Sequence, residues 1–271
     1  MAEENINNSF TREKEAVNIL VDGLTLFDDD LMSRVFDKNI VATELVLRII
    51  LGRDIKVISV NGQDEMRNHE VGGRNITLDV HAIDVNGEEI DIEVQGNSEG
   101  AHIRRARFHS SMVDSRMLGE GQKFKEIKDS YVIFIYKHDK FRKGLPLYHI
   151  DRFVRETNEL FDDGSHIIYV NGNYKGNDEI GQLMKDFHQT DPENMHYDAL
   201  AHGVKHFKET EEGREQMCEA VEKYAKEYAV REKIVSVKNL MENTKFTLEQ
   251  ALNALGIQGD ERELITKQLQ K

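Results

Sequence analysis

The sequence predicts an α/β fold: a helix, three strands, a second helix and a fourth strand, forming a mixed sheet followed by a helical C-terminal region. Three observations carry this expectation. Residues 74–95 alternate polar and apolar side chains on both sides of Asn86-Gly87, which is a hairpin signal. Ser130 to Tyr136 contains a continuous apolar run, as in a strand buried on both faces. From residue 176 onward the spacing is mostly helical.

Taken in order, residues 1–27 read as an N-terminal arm, with a short helix or extended piece over 11–26. Phe27 to Leu51 reads as helical, with Leu31, Val35, Ile40, Val41, Leu45, Val46 and Ile49 at helical spacing and Gly52 as its stop. Ile55 to Val60 alternates as a strand, Asn61-Gly62 suggests a turn, and Gly72-Gly73 marks a loop before Arg74. After the hairpin, residues 101–118 have helical spacing. Ile103, Ala106, Ser110, Val113 and Met117 form the expected buried seam, and His102, Arg105, His109, Met112 and Arg116 a largely basic stripe. Residues 138–144 form a basic loop, and 147–153 and 166–170 are further candidate strands. Helices are expected over 179–188, 196–209 and 213–238, then a pair over 246–257 and 260–269. That pair suits packing or oligomerisation better than DNA reading, because it holds no concentration of Arg or Lys. The expected division is an arm (1–27), a sheet-bearing core (28–175) and a helical C-terminal region (176–271).

The register of the hairpin follows from its faces. Ile76, Leu78, Val80 and Ala82 alternate with Thr77, Asp79 and His81; Ile90, Ile92 and Val94 alternate with Asp91, Glu93 and Gln95. A two-residue loop at Asn86-Gly87 would oppose the apolar face of one strand to the polar face of the other. A three-residue loop closed by Asp84 and Glu88, with Gly87 left-handed, removes the conflict and sets Asp79 opposite Glu93. Two carboxylates that close repel unless one is protonated or a cation lies between them. Oxygen ligands on rigid strands suit Mg²⁺ or Mn²⁺. The bland alternative is a solvent-facing hairpin whose acids only aid solubility.

Composition sets further bounds. The chain has 271 residues, 39% hydrophobic and 32% charged, enough for one large domain or a domain with an appendage. No stretch approaches the ~18 apolar residues of a membrane span, and Met-Ala-Glu-Glu-Asn is unlike a signal peptide. The lone Cys218 excludes an internal disulfide and suits a reducing cytoplasm, so a cytoplasmic location without membrane association is expected. The formal charge of -14 looks wrong for a nucleic-acid binder. Its distribution says otherwise: residues 96–145 carry eleven Lys and Arg against six Asp and Glu, a net +5, leaving -19 for the remainder.

Arg74, Asp79 and Glu93-Val-Gln95 on a short hairpin resemble the PD-(D/E)XK nuclease superfamily, in particular its bacterial branch of nuclease family transposases, or recombination-promoting nucleases. That branch has Glu-x-Gln where most nucleases have Glu-x-Lys. The resemblance continues through Arg104-Arg105-Ala-Arg-Phe, Gly-Glu-Gly-Gln-Lys-Phe-Lys-Glu-Ile-Lys-Asp, Tyr-Val-Ile-Phe-Ile, Val170-Asn-Gly and Leu183-Met-Lys-Asp-Phe. It implies a restriction-endonuclease-like αβββαβ core and metal-dependent hydrolysis of DNA phosphodiesters. Asp79 and Glu93 would be the metal ligands, with the backbone carbonyl of Val94 a third and Gln95 the remaining catalytic group. Glu44, on the preceding helix, is the best-placed candidate for the accessory acid that this superfamily often adds, the alternative being a plain exposed helical Glu. Arg74, Arg104, Arg105 and Arg116 would meet phosphates, although Arg74 could equally pair with an acid of its own scaffold. His109 stands where family members often have Tyr, a departure that leaves its role open. Gln95 brings no positive charge, so Arg74 or a helix arginine would have to supply it.

The expected activity is therefore a divalent-metal-dependent DNA endonuclease tied to recombination or mobile elements, which a second copy could join as a homo-oligomer. Nothing in the chain reads as an RNase H-like Asp-Asp-Glu integrase. The rival is a catalytically silent DNA-binding or assembly protein on the same fold. A carboxylate-pair hydrolase acting on sugars is weaker, because there is no Trp and no aromatic residue in the hairpin.

Overall fold

The computed structural model describes residues 15–68 and 72–269. The extreme N-terminus and the first half of the expected arm lie outside the described residues. Residues 15–23 (α1), Asp29–Phe36 (α2) and Ile40–Leu51 (α3) are helical and lead into β1 (Val57–Met66), β2 (Ile76–Asp84) and β3 (Glu89–Gln95). Then come α4 (Ile103–Asp114), β4 (Ser130–Tyr136), β5 (Leu147–Ile150), β6 (Phe153–Val154), β7 (Glu159–Leu160) and β8 (Ser165–Asn171). The chain ends in α5 (Glu179–Phe187), α6 (Asp198–Glu209), α7 (Glu211–Thr244), α8 (Leu248–Ala254) and α9 (Gly259–Leu269). The expected αβββαβ order is thus α3-β1-β2-β3-α4-β4.

Six strands form one mixed sheet in the order β1-β2-β3-β4-β8-β5, and β6 pairs with β7 in a separate ribbon. β1, β2 and β3 are antiparallel, β3, β4 and β8 are parallel, and β5 returns antiparallel on β8. The hairpin has the predicted register, with Val80 opposite Ile92 and His81 opposite Asp91. Asp84 N–H donates to Glu88 O and Gly87 N–H to Asp84 O, with Gly87 at φ 81°. Asp84 Oδ1 also accepts from the N–H groups of Asn86 and Glu88, so the turn is tied by its own first side chain.

The polar face of this hairpin is not solvated. From Ile90 to Gln95 every residue of β3 is buried. Ala101 and Ala106, before and within α4, pack on Val132, Phe134 and Tyr136 of β4 and Tyr169 of β8. Those three β4 residues pair with Asp91, Glu93 and Gln95, so α4 covers the carboxylate face. On β1 and β2 lie α2 and α3, with α6 against both helices. The alternation is real, but helices cover the sheet on its carboxylate face as well, so the solubilising-acid reading fails.

Four expectations need correction. Residues 27–51 are two helices, because the chain turns through Lys38 at φ 55° and Asn39 caps α3 by accepting from Ala42 N–H at 3.1 Å. Asn61-Gly62 is no turn but the middle of β1; Gly62 is there because α2 passes over it, and an added Cβ would lie 2.5 Å from the Ser33 carbonyl oxygen. Of the expected seam on α4, Ile103 is 56% exposed, whereas the "basic" positions His109 and Met112 are buried. The expected strand 147–153 ends at Ile150, and Phe153 belongs to the β6–β7 ribbon.

Two compact units can be separated: Ile19–Met217, and the described residues 15–18 with 218–269. In the first, buried Lys208 of α6 donates from Nζ to the carbonyls of Asp22, Leu24 and Thr190 at 2.9, 2.5 and 2.7 Å. In the second, Val237, Ala251, Leu252, Ile257 and Ile265 form a small core, and Thr247 and Gln250 make a capping box at the start of α8. Among the described residues no helix is long and apolar enough to cross a membrane.

Gly62→Ala tests the approach of α2 to β1. The methyl group meets main chain rather than a movable side-chain tip, so the variant should lose about 1–3 kcal/mol in urea unfolding. A loss below ~0.5 kcal/mol, within the ordinary surface range, would show that the contact gives way.

Candidate active site

The β2–β3 ladder runs from Ile83↔Glu89 to Val80↔Ile92 and stops. The next pair would be Asp79 with Glu93. Here main-chain donors turn to side chains: Asp79 N–H donates to Glu93 Oε1 at 3.1 Å, and Val94 N–H to Asp79 Oδ2 at 3.0 Å. The strands fork at two carboxylates, and each carboxylate takes a donor that a carbonyl would otherwise take. Both are buried, Asp79 at 7% and Glu93 at 0% exposure, and Asp91 beside them is also at 0%.

Helix α4 supplies the counter-charge. Arg105 and His109 are four residues apart and so lie on one face of it. Arg105 Nη2 donates to Glu93 Oε2 at 2.6 Å, and Nη1 to Gln95 Oε1 at 3.3 Å. Its Nε donates to His109 Nε2 at 3.2 Å. Since arginine cannot accept, His109 Nε2 must be the bare nitrogen, and Nδ1–H then donates to Asp91 Oδ2 at 2.8 Å. Gln95 Nε2 completes the cluster, 3.4 Å from Glu93 Oε2.

Burial dominates the protonation of these groups. It raises Glu93 from 4.5 to about 8, with the charge of Asp91 adding to it and His109 and Arg105 opposing. Asp79 is pushed well up by burial, then by Glu93 and Asp29. Asp91 is pushed well up by burial and then by Asp79. His109 goes down, again chiefly through burial; the charge of Glu93 opposes this, and those of Arg105 and Arg74 add to it. Next to this cluster His81, opposite Asp91, lies between Asp64 Oδ2 (2.7 Å) and Glu89 Oε2 (3.2 Å). Burial alone would lower its pKa, and those two hydrogen bonds raise it instead.

Of the residues singled out from sequence, Asp79, Glu93, Val94, Gln95 and Arg105 come together. Arg74 is exposed, but its charge reaches His109. Arg104 is exposed near the start of α4; Arg116 is exposed just past its end and donates to Arg67 O. Glu44 is elsewhere: its carboxylate accepts from Val57 N–H at 3.0 Å and lies 3.5 Å from Lys56 Nζ, holding the start of β1. The acid from a preceding helix that does act on the cluster is Asp29, at the first turn of α2. Burial and the charge of Asp30 raise its pKa, while Arg105 lowers it. Sequence reasoning passed over Asp29, Asp91 and the inward turn of His109. Asp91 carried a usable signal, since it alternates in phase with Glu93 and Gln95. Asp29 carried none, because only tertiary packing brings α2 here.

Asp91, Glu93 and His109 offer ligand atoms within 4.8 Å of one another. Both His109 nitrogens are already engaged, so carboxylate oxygens are the better donors. Asp91 Oδ1 is buried with no hydrogen-bond partner among the described residues. An orphaned carboxylate oxygen among three buried acids is what a hard divalent cation would satisfy, so the donor set fits Mg²⁺ or Mn²⁺. No curated protein and no solved structure matches this chain. A family model described as PD-(D/E)XK nuclease family transposase matches residues 38–236. That span takes in the forked hairpin, α4 and the parallel strands, so the chain belongs to the PD-(D/E)XK nuclease family transposases, whose nucleases use divalent metals.

Proposed function

We propose that this protein is a divalent-metal-dependent DNA endonuclease acting in recombination or on mobile elements. The observation that carries the reading is the orphaned Oδ1 of Asp91 within a buried acid cluster at the fork of β2 and β3. Asp79 and Glu93 would hold Mg²⁺ or Mn²⁺ with the Val94 carbonyl, and Asp91 would add an oxygen while His109 fixes its orientation. A bound ion of this kind polarises the phosphoryl oxygen and acidifies a water. Gln95 would orient that water through its amide. Arg105, at 3.3 Å from Gln95, would bring the positive charge that Gln lacks relative to Lys. Arg74, Arg104 and Arg116 would take flanking phosphates. A double-strand cut would need two such sites, which a second copy would supply, and the lone Cys218 suits a cytoplasmic setting.

Plasmid nicking tests this directly. The wild type should nick with Mg²⁺ or Mn²⁺ and stop with chelator, and Asp79→Ala should be inactive. Arg105→Ala should lose about 10²–10³-fold in rate if it stabilises the developing charge. Equal nicking by wild type and Asp79→Ala would overturn the site. Bound DNA that no form cleaves would instead establish the silent DNA-binding protein.

A second expectation follows from Glu93. Its pKa is about 8 in the folded chain against an ordinary 4.5, so between those values the folded state keeps a proton that the unfolded state has released. Raising pH through this window therefore costs stability. In chelator, the melting temperature should fall between about pH 5 and pH 8, and Glu93→Gln should lessen the fall. Adding Mn²⁺ at the upper pH should restore it, because the ion binds the ionised cluster. A profile that is flat in chelator would rule out the buried acid.

A further inference from the structure

The parallel strands β3, β4 and β8 end in register, with Gln95 beside Tyr136 and Tyr136 beside Asn171. Ligands of open α/β sheets gather outside such carboxyl ends. The loop leaving β4 starts there: Lys137 N–H donates to the Gln95 carbonyl at 2.9 Å. Its far end returns to the same edge, since Asn171 donates from Nδ2 to Leu145 O at 3.0 Å and from its main chain to Pro146 O at 2.9 Å.

Within this loop Lys137, Lys140, Arg142 and Lys143 stand against one carboxylate, Asp139. Asp139 is engaged inward, accepting from the N–H groups of Phe141, Arg142 and Gly144 and from the Tyr148 hydroxyl. Those bonds hold its pKa below the ordinary value against the opposing effect of burial. Among the described residues none of the four cations has an ion-pair partner. The loop is also anchored toward the site. Phe141 packs on Tyr169 (5.6 Å between ring centres), Tyr169 stacks on Phe134 (5.3 Å), and Arg105 lies over Phe134 at 6.0 Å.

We propose that the loop from Lys137 to Leu145 is a preformed clamp for the phosphate backbone of duplex DNA, with Lys140, Arg142 and Lys143 as its contacts. It holds the strand beside the phosphate to be cut. The inference rests on the nuclease reading, to which it adds a binding element.

The test is fluorescence anisotropy of a short labelled DNA duplex with the full chain in chelator, over a range of salt. For the wild type, log affinity should fall linearly with log salt. In Lys140→Gln/Arg142→Gln/Lys143→Gln the slope should shrink by roughly 0.9 per lost phosphate contact, about 3 for all three. Lys223→Gln/Lys226→Gln/Lys238→Gln, an equal charge change on exposed positions of α7, should leave the slope nearly unchanged; an equal loss there would show a diffuse charge effect and overturn the clamp. A wild-type slope retained by the loop variant would also overturn the clamp while leaving the nuclease reading standing. A wild type that binds no duplex even at low salt would remove both. Far-UV circular dichroism of each variant confirms that the fold is kept.

Discussion

The rest of the structure depends on keeping Asp79, Asp91 and Glu93 close together out of water. Three acids in such a place repel one another and lose hydration, so each needs a proton, a donor or a cation. The fold answers with main-chain N–H groups at the fork and with one arginine and one histidine from α4. Arg105 is the pivot, since it meets Glu93, Gln95 and His109 at once. Removing one partner from a buried ionic set leaves the others uncompensated, which is why such networks hold their geometry tightly.

The same helix has two tasks that could have conflicted. Its small residue Ala106 lets α4 lie close to β4, and that closeness is what brings Arg105 and His109 down to the acids. A larger side chain there would lift both. The Asp91–His109 bond fixes a neutral imidazole with its bare nitrogen toward Arg105, so the guanidinium is oriented by a lone pair rather than repelled by a second cation. Gln95 joins the same arrangement, with its Oε1 accepting from Arg105 Nη1 at 3.3 Å.

Much of this was legible in the sequence where local rules decide. Alternation and turn chemistry around Asn86-Gly87 suffice to set Asp79 against Glu93, because a slip of one residue would turn every side chain to the wrong face. Failures came where a distant segment overrides a local signal. Asn61-Gly62 has turn chemistry, yet it lies inside β1 because α2 needs a position without a side chain. His109 has the spacing of a solvated basic stripe and is instead drawn inward by Asp91. Glu44 has the better helical position for an accessory acid, but the break at Lys38 gives α2 its own direction and brings Asp29 to the cluster.

Lys208 bears on the order in which the candidate site can be assembled. Its ammonium ties together carbonyls at Asp22, Leu24 and Thr190, the first of them 186 residues upstream. The loop that leads into α2, and hence the placement of Asp29, cannot be locked until α6 has been made. At ribosomal speeds of about 5–20 residues per second, this leaves a delay of roughly 10–40 s after the N-terminal segment emerges. The β2–β3 hairpin is local in sequence, whereas the tie at Lys208 spans most of the chain. A nascent chain therefore carries Asp79, Asp91 and Glu93 well before it carries the lysine that ties down the segment leading into α2.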